Sequence, residues 1–105
     1  MRISGSLQEQ TREDEETINT SSVVISPVRN TFPPRKILLI RNTSESENAV
    51  ISVSFGEKSA VNGRGIVLQK NESFSDSSSD GYEAYQGQIN AICSQDGGKV
   101  AIFER

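Results

Sequence analysis

The chain contains no histidine and no tryptophan, a single cysteine, and three prolines among 105 residues. Without histidine the commonest general base, the commonest metal ligand and every Ser-His or Cys-His nucleophile are missing. One cysteine and no histidine leave no tetrahedral zinc site and no internal disulfide. That cysteine, Cys93, stands in the apolar run Ile89-Asn90-Ala91-Ile92-Cys93 and reads as a small core residue. The alternating Asp/Asn spacing of a calcium loop is absent. Gly63-Arg64-Gly65 lacks the Gly-Lys-Ser/Thr and the helix of a phosphate loop and reads as a turn with positive φ. The expectation is a protein that is not an enzyme, with no catalytic residue, no metal ligand and no cofactor.

Hydrophobic residues are also scarce, at 33% against about 45–50% in ordinary globular chains. No stretch approaches the ~20 apolar residues of a membrane helix. No apolar run follows Met1-Arg2-Ile3-Ser4-Gly5-Ser6, so a signal peptide is not expected. The reading is a chain made in a cytoplasm, without membrane insertion. The net charge is −3 and is unevenly placed. Residues 1–17 hold two basic and five acidic side chains, whereas residues 18–105 hold nine of each. A neutral body with an acidic end speaks against nucleic acid as the main partner, because phosphate binding needs a basic face.

What is present divides in two. Residues 1–17 are polar and carry the run Glu13-Asp14-Glu15-Glu16. They read as a flexible acidic arm, extended or forming a short helix against a partner. Leu7, Glu13, Asp14, Glu15 and Glu16 are its candidate partner-binding residues. Residues 18–105 read as one domain of short β-runs separated by turn residues. Val23–Ile25 is the first run. Lys36–Arg41 has a continuous apolar centre and is expected to be a central strand covered on both faces. Ala49–Phe55 alternates strictly, the mark of a half-buried strand. Ile66–Leu68, Ser73–Ser75, Gln88–Ser94 and Val100–Phe103 follow. Asp76–Gly81 reads as an exposed loop and Asp96-Gly97-Gly98 as a tight hairpin. The predicted fold class is all-β, a single small β-sandwich or jelly roll of about seven or eight antiparallel strands.

Two tyrosines, Tyr82 and Tyr85, flank the polar loop. They offer a possible contact patch, since tyrosine gives rigid area at low entropy cost, although edge packing is the more economical reading.

From about Asn19 to Glu104 the sequence resembles a small β-module common in tailed-phage and prophage structural proteins. The resemblance rests on pieces in order: Ser22-Val23-Val24-Ile25, then Pro34-Arg35 leading into Lys36–Asn42, then Ile51–Gly56, then Gly65–Leu68, then Ser73-Phe74, then Tyr85–Ile92, then Val100–Glu104. It is loosely similar also to small jelly-roll vertex proteins of membrane-containing phages. The chain departs from the pattern where it has Lys70-Asn71-Glu72 in place of the Pro-Gly common before Phe74. The resemblance implies a virion structural role as a minor capsid, decoration or head-fibre-base subunit. Its partners would be capsid proteins or its own copies, in a homo-oligomer such as a trimer or pentamer. The alternative is a tail-fibre or receptor-binding module that recognises cell-surface glycan through its loops.

Overall fold

The computed structural model describes residues 11–29, 34–79 and 81–105. Among these residues there is no helix. Eight strands occur: β1 (Arg12–Ile18), β2 (Val23–Ser26), β3 (Ile37–Asn42), β4 (Ile51–Phe55), β5 (Ile66–Leu68), β6 (Ser73–Ser77), β7 (Ile89–Cys93) and β8 (Gly98–Glu104). They form two four-stranded antiparallel sheets, β1-β8-β3-β6 (sheet A) and β2-β7-β4-β5 (sheet B). The pairing is nested. The first strand pairs with the last, the second with the seventh, the third with the sixth and the fourth with the fifth.

The period-2 pattern decides which residues meet between the sheets. Sheet A turns Ile18, Leu38, Ile40, Val100 and Ile102 inward, and sheet B turns in Ile25, Ile51, Val53, Leu68, Ile89, Ala91 and Cys93. Each buried Ile, Leu or Val contributes about 1.5–3 kcal/mol by leaving water. A chain this poor in apolar residues thus gathers its buried ones into a single layer between the sheets. Phe55, Phe74 and Tyr85 close its margin, with Phe55 set edge-on to Tyr85 at 5.1 Å between ring centroids.

Four expectations are corrected. Residues 12–17 do not belong to an arm. They form β1, paired residue by residue with β8 from Arg12 opposite Glu104 to Ile18 opposite Gly98. The anchor is Ile18, which is fully buried, and the ladder carries the acidic residues with it. The remaining arm residues, 1–10 with Leu7 among them, lie outside the described residues. Second, β3 is central in its sheet but not covered on both faces, since Ile37, Leu39 and Arg41 face outward and Leu38, Ile40 and Asn42 inward. The strand buried on both faces is β7. Third, Asp96-Gly97-Gly98 does not close a hairpin, because β7 and β8 belong to different sheets. The turn carries the chain from one layer to the other, with Gly97 at φ 83° and its N–H donated to Asn19 Oδ1. The polar loop also starts later than Asp76, which pairs with Leu38 inside β6.

The segment between β4 and β5 explains why β7 is buried twice. It folds back over the outer face of sheet B. Asn90 Nδ2 donates to the carbonyls of Gly56 and Lys58, Gly63 N–H donates to Ser52 Oγ, and Ala60 N–H donates to Ser22 Oγ. Gly65 ends this segment at φ +76, and a Cβ there would collide with the Val53 carbonyl oxygen. Gly65→Ala is expected to cost at least about 2 kcal/mol, because left-handed backbone strain of about 1–2 kcal/mol adds to the collision. Urea denaturation of the purified variant measures it.

Candidate functional site

Both ends of the core are closed by polar groups. On the inner face of sheet A, Leu38 sits opposite Glu104, Ile40 opposite Ile102 and Asn42 opposite Val100. The apolar row is thus bounded by a carboxylate at one end and an amide at the other. Both are buried, Glu104 at 4% exposed and Asn42 at 0%.

At the Glu104 end an ion network forms. Arg35 precedes β3 and is 1% exposed. Its Nε donates to Glu104 Oε1 at 2.6 Å, its Nη2 to Ser26 Oγ at 3.1 Å, and its Nη1 to the Tyr85 carbonyl. Ser26 Oγ donates to the same Glu104 oxygen at 2.9 Å. The second oxygen, Oε2, accepts from Arg12 Nη1 at 3.1 Å. Arg12 in turn holds Asp14, Glu16 and the Ile25 carbonyl. The network joins β1, β2, β8, the segment before β3 and the segment after Tyr82. Burial by itself raises the Glu104 carboxyl. The hydrogen bonds from Arg12 and Ser26 and the charge of Arg35 outweigh it, so the group is held below its ordinary value of 4.5. Burial opposes the Arg12 charge, but its bonds to Asp14 and Glu104 prevail and raise it.

The acidic run is split by the ladder. Asp14 and Glu16 share the side of Arg12 and bind it, whereas Glu13 and Glu15 stand opposite Phe103 and Ala101 on the outer face of sheet A. Glu15 accepts from the Thr43 hydroxyl at 3.0 Å. The nominated acids therefore serve two different surfaces.

The two tyrosines are likewise separated. Tyr82 is 52% exposed and donates its hydroxyl to Asp76, which raises its phenol above the usual value. Tyr85 packs on the core against Phe55 and donates its hydroxyl to the Gln88 carbonyl at 2.9 Å. Tyr85→Ala is expected to lose about 2 kcal/mol or more, in the manner of aromatic truncation at a packed site. Tyr82→Ala should stay within about 0.5 kcal/mol, as surface substitutions do. Thermal unfolding of the two variants side by side checks the difference.

Among the described residues, every buried side-chain nitrogen and oxygen has a hydrogen-bond partner within the chain. None is left aimed at a ligand. Also among them, no group of three or more Cys, Asp or Glu side chains is placed to hold a metal ion, and no helix is long and apolar enough to cross a membrane.

Arg12, Ser26, Arg35, Asn42 and Glu104 were not nominated from the sequence. A signal for two of them was present. Extending the alternation of Val100 and Ile102 by one step reaches Glu104, and extending that of Leu38 and Ile40 reaches Asn42. Nothing local marks Arg35 as inward-facing. No protein-family model matches the chain, and neither does any curated protein or solved structure.

Proposed function

We propose that the chain is a structural subunit of a virus particle, a minor capsid, decoration or head-fibre-base protein, built as a jelly roll. The observation that carries this reading is the nested strand order, β1-β8-β3-β6 over β2-β7-β4-β5. Eight strands paired first to last, second to seventh, third to sixth and fourth to fifth are what results when one long hairpin is rolled into two sheets, the architecture shared by viral capsid domains, lectins and cupins. Within that set, the absence of histidine disfavours the metal-holding cupins. The lectin-like alternative has less to stand on, because packing takes Tyr85 away and leaves Tyr82 as the exposed half of the pair. A body whose buried polar groups satisfy one another acts through its surface, on capsid proteins or on its own copies.

In this reading residues 1–10 serve as the tether and residues 12–17 as a strand of the body. Deletion of 1–17 would strip β1 from its sheet, so the informative truncation is 1–10. Particles banded on a density gradient from cells carrying the gene should contain the chain, detected by mass spectrometry at a constant ratio to the major shell protein. Absence of the full chain from the particle band while it stays in the soluble fraction would overturn the reading, as would normal incorporation of the chain lacking 1–10.

A further inference from the structure

The outer face of sheet B is capped by the 56–65 segment, whereas among the described residues no segment covers the outer face of sheet A. Its cross-strand rows read Glu13–Phe103–Leu39–Ser75, Glu15–Ala101–Arg41–Ser73 and Thr17–Lys99. Leu39 is 36% and Ile37 38% exposed, and Phe103 lies partly exposed between Leu39 and Glu13. Together they form an apolar centre flanked by charged and polar residues, the arrangement that a protein contact surface has. Arg41 is exposed beside it and makes no ion pair among the described residues.

We infer that this face pairs with the same face of a second copy, about a two-fold axis parallel to the strands and passing between β8 and β3. The acidic outer face of β1 favours that axis. Rotation about it places Leu39 of each copy over Phe103 of the other. It also places Arg41 over the partner's small Ala101, one strand from the partner's Glu15. Strands lie about 4.8 Å apart and stacked sheets about 10 Å apart, a span an arginine side chain bridges. The acidic β1 edge then faces the serines of β6 (Ser73, Ser75 and Ser77), which carry no charge. The other in-plane axis would stack β1 on β1 and bring Glu13 and Glu15 against their own copies, a like-charge contact that costs several kcal/mol. Aligned packing of two sheets is the usual face-to-face geometry, and an isologous pair is the commonest symmetric assembly. Such a pair would replace the trimer or pentamer expected from the sequence, and it does not depend on the virion reading.

The test is sedimentation velocity of the full chain over a concentration series, with Leu39→Glu, Glu15→Arg, Arg41→Glu and the double reversal Glu15→Arg/Arg41→Glu. The expected result is a reversible dimer. Leu39→Glu should raise its dissociation constant about thirtyfold or more, as for a central contact. Each single reversal should weaken it, and the double reversal should restore it to within about threefold of the parent, since opposed charges set register more than raw affinity. Unchanged thermal unfolding shows that each variant is folded, and if Leu39→Glu does not fold the reversal series decides alone. A monomer at every concentration, a trimer or pentamer, a dimer indifferent to Leu39→Glu, or a double reversal no better than the singles overturns the inference.

Discussion

Glu104→Ala is expected to destabilise the protein by about 3–5 kcal/mol, the range for removing one partner of a buried ion pair. Single domains hold about 5–15 kcal/mol in total, so the variant should unfold at a much lower urea midpoint or not fold at all. The loss comes from what stays behind. Arg35 is 1% exposed and keeps only the Ser26 hydroxyl and the Tyr85 carbonyl, neither of them charged. Arg35→Met should cost less, about 1–3 kcal/mol, because Glu104 then retains Arg12 and Ser26. Adding Arg35→Met to Glu104→Ala should recover part of the loss, since the double variant no longer buries an unmatched charge. If Arg35→Met proves the more damaging single change, the network matters for filling space and not for charge. The same carboxylate sets a pH dependence. Its value is held below 4.5 when folded and is ordinary when unfolded. Its contribution is therefore complete above about pH 4.5 and is lost as the pH falls through the folded value. Stability measured from pH 7 down to 3 should decline over that lower window, and Glu104→Gln should flatten the decline.

Asn42→Asp changes one NH₂ for an oxygen and is expected to cost about 3 kcal/mol or more at pH 7. Asn42 Nδ2 donates to the carbonyls of Ala49 at 2.8 Å and Leu68 at 2.9 Å, while its Oδ1 accepts from Ser44 N–H at 3.0 Å. These three partners fix the orientation of the amide. A carboxylate in its place would present negative oxygen to two buried carbonyls, each unmet acceptor costing about 1–3 kcal/mol and a charge adding to that. The side chain can recover one bond only by taking up a proton. Its folded pKa is thereby raised, so the variant should be least damaged at low pH and lose stability as the pH rises through that value. That trend runs opposite to the one set by Glu104. Equal destabilisation at pH 4 and pH 7 would mean that the pocket admits water and the bonds matter little.

The strands from Val23 onward were legible in the sequence because each has either alternation or a short apolar run between turn residues, and these are local signals. β1 was not legible. Arg12-Glu13-Asp14-Glu15-Glu16-Thr17-Ile18 has one strong hydrophobe, and its pairing energy comes from β8, some ninety residues away, where no local rule looks. Lys36–Arg41 reads as doubly covered because a run of four aliphatic residues hides its own alternation. Only the partner strands show that Leu38 and Ile40 face in while Ile37 and Leu39 face out. Asp96-Gly97-Gly98 reads as a hairpin, and Gly97 does adopt positive φ, but a turn signal says that the chain reverses and not which sheet it rejoins. The polar ends of the core follow the same lesson. Glu104 and Asn42 are ordinary surface residue types, and their burial is fixed by parity along the strand and by partners far away in sequence.

The nested pairing also governs when the chain can fold. Arg12 pairs with Glu104 and Val23 with Ala91, so both outer ladders close loops that span most of the sequence. Topologies dominated by such distant pairings fold slowly, in about milliseconds to seconds, because the entropy of closure is spent before the contacts repay it. During synthesis the first two strands of the fold are made before β7 and β8, the last two of the eight, and must wait for them. Until then neither sheet has its full set of neighbours. The acidic side chains of β1 keep that waiting strand charged and poorly suited to pairing with other nascent chains. The acidic run thus protects a strand whose partner is made last of the eight.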